Sequence, residues 1–290
     1  MIRLNLPPEL LNYSDIIDEC CSRNTQYRDN VLYNKQYLLD TGNDYESYAR
    51  LNNLYLFNIK LPKNRDELIV GQLNNSHMIN LYDYCLRYCR SGGVYDTIIN
   101  SAKNPEIRCP FCGGISTPSQ IDHFLPKSRY GHFSVFPYNL IPICKDCNTE
   151  FKKEFSPIVK HEQLIHPYLD DDCFFNEQWL YAEYIDNGAG NGTVRYFINL
   201  PSTWSDDKKE KIKFHFEMFH LADRFSEYSV GSLSDILVQM RSYKSKGLFM
   251  EEFVECSIDS VIKEERRANH WKKALFQAVK NKISAIWNAI

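Results

Sequence analysis

The sequence of 290 residues lacks several features that would define other classes of protein. No apolar run approaches the roughly 20 residues that cross a bilayer as a helix. The first residues, MIRLNLPPELLNYSD, lack the basic and then apolar segments of a secretory signal peptide. There is no internal repeat and no low-complexity tract. With 43% hydrophobic and 14% aromatic residues, we expect a folded, cytoplasmic protein.

The sequence also lacks a strong net charge, which at −3 does not indicate nucleic-acid binding by the chain as a whole. Positive charge is local. Residues 101–160 carry eight basic and five acidic side chains, and residues 261–290 carry seven and two. Residues 161–260 are acidic, with nine basic and eighteen acidic side chains. Contacts with phosphate groups are therefore expected in the two basic segments.

Four of the ten cysteines form two Cys-x-x-Cys pairs, Cys109/Cys112 and Cys144/Cys147. In a reducing compartment, pairs with this spacing bind metal more often than they form disulfides. Four thiolates complete a tetrahedron around Zn²⁺ and leave no open position for catalysis. We therefore expect a structural zinc ion that stabilises a small finger. The alternative, buried cysteines without a metal, stays open.

Polar residues suited to phosphodiester hydrolysis lie between and just after these pairs. Hydrolysis needs a base that deprotonates water and a cation that stabilises the leaving oxygen. The imidazole of His123 has a suitable pKa, and the oxygen atoms of Asp122 and Asn148 suit Mg²⁺ or Mn²⁺. Adjacent residues of a strand point to opposite faces. Joint action of Asp122 and His123 on one phosphate therefore requires a twisted strand end or a bulge.

The pattern Asp-His-x-x-Pro, followed by Asn-Leu-x-x-x-Cys-x-x-Cys-Asn, resembles the ββα-metal finger of the HNH endonucleases. The variant is the one whose third letter is Asn, and the resemblance covers about residues 105–155. It implies a metal-dependent endonuclease that cleaves DNA and leaves 5′-phosphate and 3′-hydroxyl ends. In that reading His123 is the general base, and Asn139 holds the loop that orients it. Asp122 and Asn148 are then ligands of a catalytic Mg²⁺ or Mn²⁺.

One position departs from the family pattern. Members of the family often carry a lysine three residues after the equivalent of Asn148, and this chain has Phe151 there. Two lysines follow directly. The candidate nucleic-acid-binding residues are Lys127, Arg129, Lys152 and Lys153.

The arrangement of one such finger in a chain of this length is also similar to nuclease subunits of bacterial anti-phage systems of the Septu and retron types. That similarity implies a role in antiviral defence and an ATPase partner, for which the acidic residues 161–260 would supply a binding surface. Two alternatives stay open. One is a ribonuclease toxin that uses the same finger on RNA, and the other is a zinc-ribbon module that binds nucleic acid without cleaving it.

Hydrophobic periodicity predicts an α+β fold that is mainly helical. We expect a helical region at 1–100, the finger at 101–160, and an α+β region at 161–290 that ends in a basic amphipathic helix. In the first region we expect a helix break at 40–43 and a helix near 66–73. In the last region, alternating apolar residues on both sides of a glycine-rich turn predict a β-hairpin within 179–200.

Overall fold

The computed structural model describes residues 1–10, 12–22, 26–57, 64–87, 93–102, 108–188 and 190–290. These residues are mainly helical and contain three two-stranded antiparallel sheets. The predicted α+β class is therefore confirmed. Across the described ranges, no helix combines the length and the apolar character needed to cross a membrane.

The chain divides into two compact units. The first comprises Arg3–Phe111 and Ser116–Asp171. The second comprises Met1–Ile2, Cys112–Ile115 and Asp172–Ile290. The first unit thus contains most of the predicted helical region together with most of the predicted finger, of which residues 103–107 lie outside the described residues.

The first unit consists of short helices and two small hairpins. Its α-helices are α1 (Tyr13–Ser22), α2 (Arg28–Tyr33), α3 (Lys35–Arg50), α4 (Asn75–Asn80) and α5 (Val94–Ser101). Its strands are β1 (Leu68–Val70), β2 (Leu73–Asn74), β3 (Gln120–His123) and β4 (Leu140–Ile143). Two π-helical segments are Leu81–Leu86 and Cys147–Lys152, and 3₁₀ turns lie at Pro8–Leu10, Leu54–Leu56, Gly131–Phe133 and Pro137–Asn139.

Helix α3 runs through residues 40–43, so the predicted break there is wrong. The reason is a close approach at Gly42. A Cβ atom at this position would lie 3.0 Å from Cε2 of Phe136 and 3.2 Å from Cδ1 of Tyr13. Packing of these two rings against the helix offsets the cost of about 1 kcal/mol that glycine brings to a helix interior. Thr41 also fits the helix, because its hydroxyl donates to the carbonyl oxygen of Tyr37 at 3.0 Å.

Residues 66–73 form the hairpin of β1 and β2 in place of the predicted helix, so that prediction is also wrong. The β-branched residues Ile69 and Val70 favour a strand, and Gly71 turns the chain with a φ of 52°. Directly after the hairpin, Oδ1 of Asn74 accepts a hydrogen bond from the backbone N–H of His77 at 2.9 Å. This cap begins helix α4.

The second unit is built around the hairpin of β5 (Leu180–Gly188) and β6 (Asn191–Ile198). This confirms the hairpin that alternation predicts for 179–200. Helix α11 (Trp271–Asn281) packs on β5 and helix α8 (Leu221–Ser245) packs on β6. The predicted last helix is two helices, α11 and α12 (Ile283–Ala289), which Lys282 separates. The helices of this unit are α6 (Cys173–Asn176), α7 (Asp206–Met218), α8 (Leu221–Ser245), α9 (Met250–Phe253), a π-helical segment (Val254–Asp259), α10 (Ser260–Glu264), α11 (Trp271–Asn281) and α12 (Ile283–Ala289).

The close approach of Gly131 to Asn75 in the first unit can be tested by substitution. A Cβ atom at Gly131 would lie 1.7 Å from Oδ1 of Asn75, which is buried and whose Nδ2 donates to the carbonyl oxygen of Ser128. We expect Gly131→Ala to lower the free energy of unfolding by about 2–3 kcal/mol in urea titrations. The same substitution should cost less in an Asn75→Ala background, because the obstructing oxygen is gone. Equal costs in the two backgrounds would contradict this packing.

Candidate functional site

The four cysteines of the two Cys-x-x-Cys pairs come together. The sulfur atoms of Cys109, Cys112, Cys144 and Cys147 all lie within 4.8 Å of one another, and all four side chains are buried. A Zn–S bond of about 2.3 Å places the sulfurs of a tetrahedral site about 3.8 Å apart. The observed spacing therefore fits a Zn²⁺ ion held by four thiolates. Such an ion has no coordination position left for a substrate.

The backbone around the first pair is shaped for this cluster. The N–H of Cys109 donates to the carbonyl oxygen of Ser116 at 2.9 Å and closes the loop. Gly113 and Gly114 have φ angles of 59° and 129°, which favour glycine. A Cβ atom at Gly114 would lie 2.7 Å from Nε2 of His270. The two glycines after the second cysteine are therefore required by the turn and by its close neighbours.

Strand β3 divides the candidate residues between its two faces. It pairs with β4 in a regular antiparallel register that contains no bulge. Ile121 and His123 are buried, whereas Gln120 and Asp122 are partly exposed. Asp122 and His123 therefore lie on opposite faces, as strand geometry requires. Asp122 and His123 are the last two residues of β3.

The partly exposed face of β3 meets the helical segment that follows the second cysteine pair. Nδ2 of Asn148 donates to Oε1 of Gln120 at 2.7 Å. Nζ of Lys152 lies 2.7 Å from Oδ2 of Asp122 and donates to the carbonyl oxygen of His123 at 2.8 Å. Gln120 and Asp122, on one face of the strand, thus contact Asn148 and Lys152, on one face of the helical segment.

The helical segment is a π-helix, in which the N–H of Lys153 donates to the carbonyl oxygen of Asn148 at 2.9 Å. A turn closed by such i→i+5 bonds contains more residues than an α-helical turn. Lys152, four residues after Asn148, shares a face with it, as residues at this spacing also do in an α-helix.

A backbone carbonyl orients the imidazole of His123. Its Nε2 lies 2.9 Å from the carbonyl oxygen of Ser134, and its ring packs edge-on against Tyr82 with 4.4 Å between centroids. Since a carbonyl oxygen only accepts, Nε2 carries the proton and Nδ1 carries the lone pair. Nδ1 has no hydrogen bond to the described residues and is not among their fully buried, unpartnered atoms. This nitrogen is therefore the acceptor of the ring.

The surroundings keep this imidazole neutral. Burial lowers the pKa of His123 to about 3, against the opposing effect of the Ser134 carbonyl. The positive charges of Lys127 and Lys152 act in the same direction as burial. At neutral pH the ring is therefore uncharged and has a lone pair for a proton.

The amide of Asn139 holds the loop between β3 and β4. Its Oδ1 accepts from the N–H of Leu125 at 2.7 Å. Its Nδ2 donates to the carbonyl oxygens of Leu125 at 3.0 Å and Phe133 at 3.2 Å. The N–H of Phe124, the residue after His123, donates to the carbonyl oxygen of Asn139 at 2.8 Å. The end of β3 is thereby tied to the start of β4 through one fully buried side chain.

Two further buried residues support Asn139. The hydroxyl of Tyr45 donates to Oδ1 of Asn139 at 3.1 Å and lies 3.2 Å from Nε2 of His166. Nδ1 of His166 accepts from the N–H of Tyr168, so Nε2 carries the proton and donates to the Tyr45 oxygen. Tyr45 is 94 residues from Asn139, and no local pattern in the sequence indicates the contact.

The candidate nucleic-acid-binding residues have different surroundings. Lys127 forms an ion pair with Asp83, and Arg129 donates to a serine hydroxyl at 2.7 Å. Lys153 is exposed, whereas Lys152 is buried. A role for these residues in binding nucleic acid stays a prediction.

The fold and the cysteine cluster define a mainly helical α+β protein with a four-cysteine group that could hold a zinc ion. The chain is 30% identical over 290 residues to Protein ea31 of Escherichia phage lambda, an alignment that covers 95% of this chain and 96% of that protein. The chain belongs to the family of that phage protein. No protein-family model and no solved structure matches it. The name of the relative states no activity, so function has to be argued from the geometry.

The assignment of zinc to the cysteine cluster can be tested by measuring the metal content of the purified protein. We expect about one zinc ion per chain in the purified protein. Cys147→Ser removes one of four ligands and should abolish zinc retention and lower the unfolding temperature, because structural zinc contributes to folding. Cys256→Ser is the control, since that cysteine is exposed and outside the cluster. Elemental mass spectrometry after dialysis measures both. Zinc retained by Cys147→Ser, or absent from the unmodified protein, would contradict the assignment.

The hydrogen bonds that join Asn139, Tyr45 and His166 can be tested by measuring stability. Tyr45→Phe deletes the hydroxyl that links Asn139 to His166 and leaves buried polar atoms with fewer partners. We expect a loss of about 1–3 kcal/mol in the free energy of unfolding. Tyr48→Phe is the matched control on the same helix, because its hydroxyl has no hydrogen bond to the described residues. Urea titration measures the free energy of unfolding of both variants. An equal loss in Tyr45→Phe and Tyr48→Phe would contradict the network.

Proposed function

We propose that this protein is a metal-dependent endonuclease that hydrolyses phosphodiester bonds of DNA. The observation that supports it most is the fixed imidazole at the end of β3. The Ser134 carbonyl holds the proton of His123 on Nε2 and leaves Nδ1 as an acceptor. The imidazole lies on the β3–β4 hairpin, and Cys144 and Cys147 of the four-cysteine cluster follow that hairpin directly.

His123 acts as the general base in this proposal. Nδ1 takes a proton from a water molecule as that water forms a bond to the phosphorus atom and the bond from phosphorus to the 3′ oxygen breaks. General-base catalysis of this kind typically contributes about 10²–10⁴ in rate. Solvent water supplies the proton that makes the leaving oxygen a 3′-hydroxyl. Burial lowers the pKa of His123, which keeps the ring unprotonated before the substrate binds. The negative charge of a bound phosphate raises that pKa again, because a nearby anion stabilises the imidazolium. The ring thus becomes a stronger base when the substrate is present.

Asp122 and Asn148 are the proposed ligands of a divalent ion. Nδ2 of Asn148 donates to Oε1 of Gln120, and in the proposal Oδ1 of Asn148 coordinates the ion. A carboxylate and an amide oxygen suit Mg²⁺ or Mn²⁺, which retain water ligands in such sites. When bound, such an ion stabilises negative charge on the leaving oxygen. Asn139 acts indirectly. It holds the loop that contains Ser134, and the carbonyl oxygen of Ser134 orients the imidazole.

The remaining predictions rest on resemblance. A role in antiviral defence and an ATPase partner stay predictions, and no contact among the described residues bears on either. A phage relative is consistent with a function in the biology of bacteriophages and indicates no particular one.

Incubation of purified protein with plasmid DNA and with total RNA, in Mg²⁺ or in EDTA, tests the proposal. We expect cleavage of DNA only with the metal ion. His123→Ala should lower the rate roughly a hundredfold or more while the zinc content stays unchanged. His161→Ala is the matched control, since His161 is an exposed histidine in the same unit.

The other outcomes distinguish the alternatives. Cleavage of RNA with intact DNA would favour the ribonuclease toxin. Binding of nucleic acid that survives incubation with Mg²⁺ would favour the non-catalytic module. Equal activities of His123→Ala and His161→Ala would contradict the assigned base.

A further inference from the structure

Lys152 places a buried positive charge on the carboxylate that we propose as a metal ligand. Its side chain has no exposed surface, and that of Asp122 is only 15% exposed. An ammonium group in such a position requires partners, because burial of an unpaired charge is strongly unfavourable. Its partners are Oδ2 of Asp122 at 2.7 Å and the carbonyl oxygen of His123 at 2.8 Å. Both belong to the last two residues of β3.

The two contacts differ in kind. The contact with the His123 carbonyl is an aligned hydrogen bond. Oδ2 of Asp122 is fully buried and has no aligned hydrogen bond, so its contact with the ammonium is an ion pair without a directed N–H. A second cation at Asp122 therefore displaces a charge contact and leaves the hydrogen bond to His123 available to Lys152.

Lys152 contacts the same carboxylate that would hold the proposed divalent ion. Gln120 and Asp122 share one face of β3, and Asn148 and Lys152 share the opposing face of the π-helix. An ion between Asp122 and Asn148 would lie next to the ammonium. Like charges at such short distances repel strongly in a partly buried site. Lys152 and a divalent ion cannot both contact Oδ2 of Asp122 without that repulsion.

We propose that Lys152 is a built-in competitor of divalent cations at Asp122. The ammonium neutralises the carboxylate in the absence of substrate and keeps the affinity for metal low. A bound phosphate gives the displaced ammonium a new anionic partner, so the metal ion and the nucleic acid bind cooperatively. This inference rests on the proposed function, because it assigns Lys152 a role at the same metal site.

Titration of the zinc-loaded, full-length protein with Mn²⁺, followed by electron paramagnetic resonance without nucleic acid, tests the inference. We expect Lys152→Met to bind Mn²⁺ roughly tenfold more tightly, or more, than the unmodified protein. Lys152→Gln should show the same direction, because it is neutral and keeps an N–H donor for the His123 carbonyl. Asp122→Asn added to either variant should abolish the gain.

Lys145→Met is the matched control. Lys145 is exposed at the start of the same helical segment, and its loss removes the same charge without touching Asp122. An equal gain in Lys145→Met and Lys152→Met would overturn the inference, since the effect would then be one of overall charge. Unchanged Mn²⁺ affinity in folded Lys152→Met and Lys152→Gln would also overturn it.

A measurement on the unmodified protein covers the case in which both variants lose zinc and unfold. An amine-acetylating reagent should label Lys152 faster in saturating Mn²⁺ and phosphate than without them, as mass spectrometry of peptides would show. Labelling at Lys152 that does not respond to Mn²⁺ would overturn the inference.

Failure of this inference and failure of the proposed function give different results. DNA cleavage by the unmodified protein, together with unchanged Mn²⁺ affinity in the Lys152 variants, would sink the inference alone. Tighter Mn²⁺ binding by those variants, together with DNA left uncleaved by the unmodified protein, would support competition by Lys152 at Asp122 and contradict the proposed nuclease activity.

Discussion

The alternation of side chains along one four-residue strand determines where the candidate residues lie. Because β3 has no bulge, Asp122 faces the π-helix and His123 faces the protein interior. The strand ends at His123, and Lys152 joins the two residues by contacting the carboxylate of one and the carbonyl of the other. The proposed base and the proposed metal ligand are thus held by one backbone segment on opposite faces of its end.

The long loop between β3 and β4 is ordered by polar contacts as well as by packing. Asn139 uses both ends of its amide within this loop, and Tyr45 connects it to His166. His132 in the same loop differs, because neither of its ring nitrogens has a hydrogen bond to the described residues and burial lowers its pKa to about 3. A buried polar side chain without partners destabilises a fold. The satisfied network around Asn139 therefore has the larger part in keeping the loop in place.

Sequence reasoning succeeded where the signal is local. The cysteine spacing predicted the cluster, and two alternating runs predicted the β5–β6 hairpin. It failed where distant residues decide the outcome. The rings that pack on Gly42 preserve α3 through a segment rich in helix-breaking residues. Tyr45 reaches Asn139 only in the folded chain. The inward position of Lys152 depends on its contacts with Asp122 and the carbonyl oxygen of His123, and hydrophobic periodicity gives no signal for a buried lysine. The catalytic assignments rest on the same local motif and stay predictions.

We propose that one zinc-stabilised finger holds a neutral imidazole beside a second, hard cation. Crystals grown with Mn²⁺ and a short DNA duplex, measured at the absorption edges of zinc and manganese, test it most directly. The account predicts a zinc peak among the four cysteine sulfurs and a manganese peak about 2.1 Å from oxygens of Asp122 and Asn148. The ammonium of Lys152 should have left the carboxylate, and Nδ1 of His123 should face a water molecule next to the phosphate. Manganese absent from this position, with the ammonium still on Asp122 in the presence of bound DNA, would contradict the account.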